Sequence, residues 1–505
     1  MSNKKILFWI EEPFVSFGIA KYLKEEIDAD FYSIIVCNDL TKKFFIKQEL
    51  MKFKKNWFYR DHISLKKQKI DFDYLKSLED NLGIKIWEIV SGERFFTSYS
   101  KYHHFSGEEI LSLVEQQSRL YENIIDEIKP DYIAIRIPDF HNIQLLYKIG
   151  KAKGVKILMY AQSRFGGLTI TEKPDEIIPI NIKNTNSEKL KNFKELREHI
   201  KEYSLEHEKI VNKFKGSQTQ KVNAILHFLT IDNKKYTDYY QNIGKTKLAV
   251  TYNKILESIQ SYKRKKFIDS NLKKSIKIDL PFIYFPLHVE PEQTLLIRSP
   301  FHTDQLNIIT NISKSIPVEF KLIIKEHPAM KINGWHDTQF YKKIISLPNV
   351  ELLHPSISNE DLISKCSLVI SIAGTAGLQA AFYNKPSIVL TDVNYTNLSS
   401  VYRLKNIEEL YDAISIMLKK EVNLSELNEF VARYEESSFN FETMRFAIDA
   451  YNNFGYGGFL AESNVTLDKM KYFLEKNKND FKIMSTEHAK KITNIENQNT
   501  TVNSK

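Results

Sequence analysis

The chain has few cysteines and no long apolar run, and each absence excludes a class of protein. Cys37 and Cys366 are the only cysteines among 505 residues. Both lie in apolar patterns, which indicates reduced core thiols, and two cysteines exclude a Cys-rich zinc site. No stretch reaches the roughly 20 consecutive apolar residues that span a bilayer, and the N-terminal segment MSNKKILFWIEEP soon turns acidic. These patterns predict a soluble protein that stays in the cytoplasm.

Signals of nucleic-acid binding are also lacking. The formal net charge of +9 is spread over Lys-rich helical patterns, with one local concentration at Tyr262–Lys266. A solvated helix surface accounts for this distribution better than nucleic acid does, and no segment resembles an RNA- or DNA-binding module. We therefore predict no nucleic-acid partner, and attraction to an anionic membrane surface stays open as an alternative.

Two regions alternate strand and helix patterns, which predicts an α/β fold. The first opens with a strand over Lys5–Ile10, a helix near 16–27 and a strand over Phe31–Val36, and residues 40–115 follow no clear pattern. The second region opens at Pro281 and holds five strand-like apolar runs: 282–287, 318–324, 350–353, 368–372 and 387–390. Strands and helices at this spacing predict two Rossmann-like, doubly wound domains, which we expect to face a cleft.

The same patterns predict the domain boundaries. We expect an N-terminal α/β domain over 1–277, with a helical insertion at about 184–274. A second Rossmann-like domain covers 278–423, and helices follow over 424–484. The polar tail 485–505 is predicted to be disordered.

Two strand-ends in the second region carry groups suited to an anion. The apolar run 319–324 stops abruptly at Lys325, Glu326, His327 and Pro328, and catalytic groups of open α/β sheets sit at such carboxyl ends. The strand 368–372 leads into a turn of small residues. Ser371 and Thr375 are its candidate hydroxyl hydrogen-bond donors, and Gly374 and Gly377 are its small residues. Small residues let a phosphate approach the backbone N–H groups, although tight packing of helix on sheet also favours them. No dinucleotide fingerprint is present, so NAD and FAD are not favoured.

Two further sets of polar residues follow predicted strands. Glu290 and Glu292 flank Pro291 directly after the strand 282–287, and carboxylates there can hold a sugar or act as acid or base. Asp139, His141 and Arg164 follow strands of the first domain: Asp139 is a candidate base, and His141 and Arg164 are candidate acceptor-binding residues. Taken singly, each is also explained as an ordinary polar loop residue.

The second region resembles the bacterial capsular polysaccharide biosynthesis family. The resemblance rests on FPLHVEPEQTLL, KEHP, FYKKIISLPNVELLHP and LISKCSLVISIAGTAGLQAAFYNKPSIVL, which occur in this order over about 283–398. That family is similar to GT-B glycosyltransferases, and it includes β-Kdo transferases that use CMP-Kdo. The resemblance implies a nucleotide-sugar donor, most simply a CMP-linked one, and a glycolipid or oligosaccharide acceptor.

The resemblance also implies roles for individual residues. His327 and Pro328 match a His-Pro element expected to contact the donor phosphate, and Ser371–Gly377 matches a Gly-Thr loop that holds the donor. We therefore expect the second domain to bind the donor and the N-terminal domain to bind the acceptor. The expected donor-binding residues are Lys325, Glu326, Pro328, Ser371, Gly374, Thr375 and Gly377. Glu290 and Glu292 match an acidic loop by position. The family resemblance implies no metal held by an Asp-X-Asp motif and no cofactor.

We therefore expect a glycosyltransferase of capsule synthesis that works in the cytoplasm or at the periphery of the inner membrane. His327, Glu290, Glu292 and Asp139 are the candidate catalytic residues. Three alternatives stay open: a sugar-nucleotide epimerase, a polyol-phosphate transferase, and a non-catalytic component of polysaccharide assembly or export.

Overall fold

The computed structural model divides the chain into two units. It describes residues 3–65, 69–99, 101–162, 167–174, 190–199, 201, 217–230, 239–275, 280–441, 443–456 and 463–503. The first unit comprises 1–177, 203–247 and 437–505, and the second comprises 178–202 and 248–436.

Each unit is built around one β-sheet. The thirteen strands of the described residues are β1 Lys4–Ile10, β2 Ala29–Ile35, β3 Lys55–Phe58, β4 Tyr132–Arg136, β5 Lys156–Gln162, β6 Gly167–Thr171, β7 Phe282–Pro286, β8 Lys321–Lys325, β9 Val350–Leu353, β10 Leu368–Ser371, β11 Ser387–Val389, β12 Val401–Arg403 and β13 Phe439–Asn440.

Helices connect the strands and cover the sheets. In the first unit they are Val15–Glu26, Asp39–Lys47, Phe72–Leu82, Ile86–Ser91, Arg94–Thr97, Gly107–Ile128, His141–Ala152, Gln218–Thr230, Thr443–Phe454, Leu467–Lys476 and Lys478–Asn503. In the second unit they are Lys247–Asn271 (from its second residue), Gln293–Leu296, Gln305–Ser315, Thr338–Ile345, Asn359–Lys365, Ala376–Phe382, Leu410–Met417 and Leu424–Glu436. Short 3₁₀ helices cover Tyr59–Asp61, Pro328–Lys331 and Ile407–Glu409.

The sheet of the first unit has the order β13-β6-β5-β4-β1-β2-β3. The five strands from β5 to β3 in this order are parallel, whereas β6 is antiparallel to β5 and β13 is antiparallel to β6. Central parallel strands are covered on both faces and therefore consist of uninterrupted apolar residues. The run Ile6–Ile10, fully buried in β1, is an example.

The sheet of the second unit is parallel throughout, with the order β12-β11-β10-β7-β8-β9. This is the strand order of a Rossmann fold, in which the chain reverses its direction of travel across the sheet between the first and fourth strands. The predicted class, α/β with two Rossmann-like doubly wound sheets, is confirmed. All five predicted strands of this region form, and the sixth, β12, is additional to the prediction.

Local sequence signals set several helix ends. Ser358 was predicted as an N-cap, and its Oγ accepts a hydrogen bond from the Asp361 N–H at 3.3 Å. Ser106 and Glu109 form a full capping box at the start of the 22-residue helix Gly107–Ile128. Such caps satisfy N–H groups that the first helical turn would otherwise leave without partners.

The structure corrects the predicted helical insertion and C-terminal helices. The segment 184–274 does not belong to the N-terminal domain as a whole, because the helix Lys247–Asn271 packs in the second unit from Leu248 onwards. The C-terminal helices divide as well, since Leu424–Glu436 stays in the second unit and the chain from Ser437 belongs to the first.

The prediction of a disordered tail over 485–505 is wrong for its described part. The helix Lys478–Asn503 buries Ser485, His488, Ile492 and Ile495. Ser485 Oγ donates to the Ile19 carbonyl oxygen at 3.1 Å, so this helix is anchored to the first helix of its unit.

The anchor of this C-terminal helix is Phe481. Its ring is fully buried and lies so close to Gly18 that a Cβ there would come within 2.2 Å of Phe481 Cε1. We predict that Phe481→Ala lowers the free energy of unfolding by about 3–5 kcal/mol, because it leaves a cavity in the core. Chemical denaturation followed by circular dichroism measures this, with Ile483→Ala, at a 43% exposed position of the same helix, as the matched control. Equal stability of the two variants would contradict the assigned packing of the tail.

Candidate functional site

The candidate site lies in the second unit, at the carboxyl ends of β7 and β10. These strands are neighbours in the sheet, but the chain leaves β7 towards β8 and leaves β10 towards β11. Connections that diverge in this way leave a crevice at the strand ends, and ligands of open α/β sheets bind there.

His288 occupies the end of β7. Gln305, the first residue of a helix, holds its backbone: the His288 N–H donates to Gln305 Oε1 at 2.8 Å, and Gln305 Nε2 donates to the His288 carbonyl oxygen at 3.2 Å. Gln305 Nε2 also donates to Glu290 Oε1 at 2.5 Å. One buried amide therefore fixes the course of the loop that follows β7.

The imidazole of His288 bridges the two strand ends. Its Nε2 accepts a hydrogen bond from the Ala373 N–H at 3.3 Å and lies 3.4 Å from Ser371 Oγ. Because Nε2 accepts, the neutral ring carries its proton on Nδ1, which is buried and has no hydrogen-bond partner among the described residues. Burial and the nearby His327 lower the pKa of His288 to about 4, so the ring is neutral at pH 7.

The turn after β10 is closely packed against this ring. Ser371 Oγ accepts from the Gly374 N–H at 3.0 Å, and the Tyr395 hydroxyl donates to the Gly374 carbonyl oxygen. A Cβ at Gly374 would lie 2.8 Å from Ser371 Oγ and 3.1 Å from His288 Nε2, and one at Gly377 would lie 2.8 Å from the Tyr395 hydroxyl oxygen. A side chain at either position would therefore displace a neighbouring hydroxyl group or the turn itself.

His327 lies two residues after the end of β8 and is partly exposed. Its Nδ1 accepts a hydrogen bond from the Ala329 N–H at 3.1 Å, at the start of the 3₁₀ helix that Pro328 opens. The Nε2 of the neutral ring is therefore a donor, and no hydrogen bond of the described residues uses it. Burial and the neighbouring Lys325 lower the pKa of His327, which favours the neutral ring.

A buried network ties the ends of β7 and β8 together. Glu326 has no exposed surface; its Oε2 accepts from His336 Nδ1 at 2.8 Å and from the Tyr341 hydroxyl at 2.5 Å. On its other side, His336 Nε2 lies 3.6 Å from Glu290 Oε2. Burial disfavours a charged His336, but the two carboxylates outweigh it and raise the pKa of His336 to about 9. An imidazolium thus sits between the two loops that carry Glu290 and His327.

Lys325 is buried at the last position of β8, where its hydrogen-bond partner is an uncharged side chain. Its Nζ donates to Asn359 Oδ1 at 2.6 Å, and the Tyr284 hydroxyl donates to the same oxygen at 2.8 Å. Burial lowers the pKa of Lys325 to about 8. The predicted donor-binding residues Lys325 and Glu326 therefore direct their charged groups into the protein, where they support the loops rather than present themselves to a ligand.

The remaining predicted residues of this unit lie around the same strand ends. Glu290 is partly exposed, and although burial opposes ionisation, its contacts with His336 and Gln305 lower its pKa. Glu292 is exposed and precedes the helix Gln293–Leu296, and Thr375 precedes the helix Ala376–Phe382.

The predicted residues of the first unit are engaged in internal contacts. Asp139 is paired with Arg136, which also binds Glu11, and the Asp139 carbonyl oxygen accepts from Arg94 Nη2 at 2.7 Å. This cluster lies at the carboxyl ends of β1 and β4, the corresponding reversal point of the first sheet.

His141 has no exposed surface. Its Nδ1 lies 2.5 Å from Glu93 Oε2, and its Nε2 lies 2.9 Å from Gln117 Nε2. Direct contact with an acceptor does not suit a ring so enclosed, whereas a role in positioning the loop that carries Asp139 does. Arg164 lies outside the described residues.

Sequence reasoning missed several residues that build the site: His336, Gln305, Asn359, Tyr341 and Tyr395. Each of these residues supports the site by a hydrogen bond to a residue ten or more positions away in the sequence, so no short motif marks it. His288 was within reach, because it directly follows a predicted strand.

Among the described residues, no group of three or more His, Cys, Asp or Glu side chains is arranged to hold a metal ion. Within the same ranges, every helix is too short or too polar to cross a bilayer.

The imidazolium of His336 makes stability depend on pH. A folded pKa of about 9 lies above the ordinary value of 6.5, so the stabilisation is complete below pH 6.5 and is lost as pH rises through about 9. The quantity of interest is the difference in unfolding free energy between wild type and His336→Gln. We predict that this difference is larger at pH 6 than at pH 10 by on the order of 3 kcal/mol. Chemical denaturation of both proteins across this pH range measures the difference. Because Lys325 is present in both proteins, its opposite effect on stability cancels in the subtraction. His62→Gln, which removes an imidazole at an exposed position, is the matched control. A difference between wild type and His336→Gln that is the same at pH 6 and at pH 10 would refute the ion-pair assignment.

Comparison with known proteins finds a family match that includes most of this unit. Residues 181–398 match the family described as capsule polysaccharide biosynthesis protein. A curated relative, protein FixF of Sinorhizobium fredii (strain NBRC 101917 / NGR234), is 28% identical over 156 residues, or 29% of this chain. The match spans 36% of FixF, so the chain covers only about a third of that relative.

Solved structures with some likeness include two transferases and an epimerase. The β-Kdo 2,7 transferase of Thermosulfurimonas dismutans KpsC is 13% identical, with 69% of this chain and 87% of that chain covered and a TM-score of 0.32. The β-Kdo 2,4 transferase of the same protein is 10% identical, with 60% and 80% covered and a TM-score of 0.30. UDP-GlcNAc 2-epimerase of Methanocaldococcus jannaschii, in complex with UDP-GlcNAc and UDP, is 13% identical, with 86% and 99% covered and a TM-score of 0.26.

With TM-scores below 0.5, these likenesses do not identify the fold, which rests on the strand order of each sheet. The family match is based on sequence, and its range includes both strand ends of the candidate site. The resemblance predicted from the sequence is confirmed: residues 181–398 match the family described as capsule polysaccharide biosynthesis protein.

Proposed function

We propose that the protein is a glycosyltransferase of bacterial surface polysaccharide synthesis. It transfers a sugar from a nucleotide-activated donor, CMP-linked in the simplest case, to a glycolipid or oligosaccharide acceptor. The family match supports capsule synthesis, and the geometry of the second unit supports a site for the donor phosphate. We further propose that the protein works in the cytoplasm and at the periphery of the inner membrane, where a glycolipid acceptor is accessible.

One observation carries the donor-site proposal. At the reversal point of the second sheet, the turn after β10 lies against His288, which connects it to the end of β7, next to the strand end that carries His327. Phosphate groups bind at such points through backbone N–H groups and neutral or cationic side-chain donors. The Nε2 donor of His327, on a partly exposed ring, is suited to this role.

In the proposed reaction, the bond between the anomeric carbon and the nucleotide phosphate breaks, and the acceptor oxygen bonds to that carbon. Negative charge develops on the departing phosphate oxygen, and a hydrogen bond from His327 Nε2 stabilises it there. A carboxylate accepts the proton of the acceptor hydroxyl. No step requires a metal ion, which we propose is absent from the reaction.

Glu290, Glu292 and Asp139 remain the candidates for that carboxylate. The lowered pKa of Glu290 keeps it ionised but makes it a weak base, so it suits orientation of the sugar better than proton abstraction. Asp139 would have to leave Arg136 to accept a proton. Glu292 is the most exposed of the three.

The proposal predicts selective binding of a nucleotide that depends on His327. Calorimetric titration with CMP, CDP, UDP and GDP, and with sugars linked to each, should detect one preferred base. In His327→Ala the affinity for that nucleotide should fall about ten- to hundredfold, because a hydrogen bond to a charged group is lost. His62→Ala, at an exposed position of the first unit, is the matched control and should bind like wild type.

The outcomes discriminate between the candidate functions. Transfer to an acceptor identifies a glycosyltransferase, whereas conversion of a nucleotide sugar without any acceptor would identify an epimerase. If no nucleotide binds, or if His327→Ala binds as tightly as wild type, the donor site is not where we propose.

Gly374 provides a second test of the same turn. A Cβ at this position collides with Ser371 Oγ and His288 Nε2, so Gly374→Ala must displace the turn. We predict at least a tenfold loss of nucleotide affinity with little change in the circular dichroism spectrum. Gly107→Ala is the control, since its nearest neighbour would be 3.6 Å from the added Cβ. Unchanged affinity in Gly374→Ala would exclude this turn from the phosphate site.

A further inference from the structure

The helix Lys247–Asn271 presents an apolar stripe to solvent. The stripe consists of Leu248, Tyr252, Ile255, Ile259 and Tyr262, whose side chains are between 47% and 85% exposed. They follow one another at alternating steps of four and three residues, so they lie along one face of the helix.

The opposite face of this helix is the one that packs on its own unit. Val250 and Ile268 are buried, and Arg264 Nη1 donates to the Trp335 carbonyl oxygen at 3.0 Å. On a helical wheel these three residues lie about opposite to the stripe. The stripe is therefore the outermost surface of the helix, where globular proteins normally carry polar side chains.

The charges of the helix are predominantly positive. It carries six Lys or Arg residues and two acidic ones, Glu257 and Asp269. Both acids are paired within the helix, with Lys254 at 2.8 Å and with Lys265 at 4.0 Å. Lys263 and Lys266, which continue the stripe towards its C-terminal end, are exposed and form no ion pair with the described residues.

We propose that this helix face docks on an anionic lipid surface. Tyrosine and aliphatic side chains enter the boundary between head groups and acyl chains, while Lys263 and Lys266 contact the phosphates of anionic lipids. The proposal deepens the peripheral location given above, and it rests on the proposed function only in taking a lipid surface as the site of work.

The charge distribution favours lipid over two other occupants. A second copy of the helix packed in parallel would bring Lys263 and Lys266 of both copies together along the seam, which is unfavourable. Nucleic acid would match the charge but would leave five large apolar side chains without a partner.

Vesicle flotation of the full-length protein, without nucleotide, tests the proposal. Wild type should bind vesicles of phosphatidylglycerol and phosphatidylethanolamine and should not bind phosphatidylcholine vesicles, and added salt should weaken the binding. Tyr252→Gln/Ile255→Gln should lower the bound fraction about tenfold. The matched control is Tyr411→Gln/Ile416→Gln, a Tyr and an Ile that are 56% and 58% exposed on another helix, and it should bind like wild type. Lys263→Gln/Lys266→Gln should also lower binding to the anionic vesicles.

Each contrary result overturns the proposal. Three results would do so: wild type does not bind anionic vesicles, Tyr252→Gln/Ile255→Gln binds as well as wild type, or the control variant loses as much binding as Tyr252→Gln/Ile255→Gln. A wild-type dimer in analytical ultracentrifugation that Tyr252→Gln/Ile255→Gln converts to monomer would assign the stripe to a second copy instead. Because no nucleotide is present, failure here is independent of the nucleotide titrations that test the donor site.

Discussion

The adjacency of β7 and β10 is the constraint on which the candidate site depends. Parallel strands need long crossover connections, and crossovers that diverge from two neighbouring strands leave their carboxyl ends uncovered. In this chain the strand order brings His288 next to the turn after β10, although 83 residues separate His288 from Ser371. The site is therefore a property of the topology: each loop is an ordinary strand end, and only the sheet makes them one surface.

Buried polar groups give that surface its fixed shape. Gln305 satisfies both backbone groups of His288, and Glu326 has His336 and Tyr341 as partners, so each desolvated group is compensated. Removing one member of such a network leaves another buried without a partner, which costs more than the bond itself contributes. The network therefore orders the loops that carry His327 and Glu290, while neither His336 nor Glu326 needs to touch a ligand.

The sequence predicts the parts of this structure that depend on local patterns. Buried parallel strands are continuous apolar runs, so β7 and β8 and the strand ends at His327 and Ser371 were recognisable. The antiparallel strand β13 was missed, because it has only two residues and pairs with a segment more than 260 residues away. The helix at the C-terminus was missed because its sequence is polar, and its order comes from packing of Phe481 and Ser485 on the first helix of the unit. For the same reason no pattern revealed His336 or Gln305, whose roles exist only once distant loops meet.

The central claim is that the nucleotide phosphate binds between His327 and the turn after β10. A crystal structure of the protein with the nucleotide that it prefers tests this most directly. The account predicts a phosphate oxygen within about 3 Å of His327 Nε2, with a second phosphate oxygen at the backbone of the turn from Ala373 to Thr375. A phosphate bound at the carboxyl ends of β1 and β4 instead, or one that leaves His327 without a contact, would contradict it.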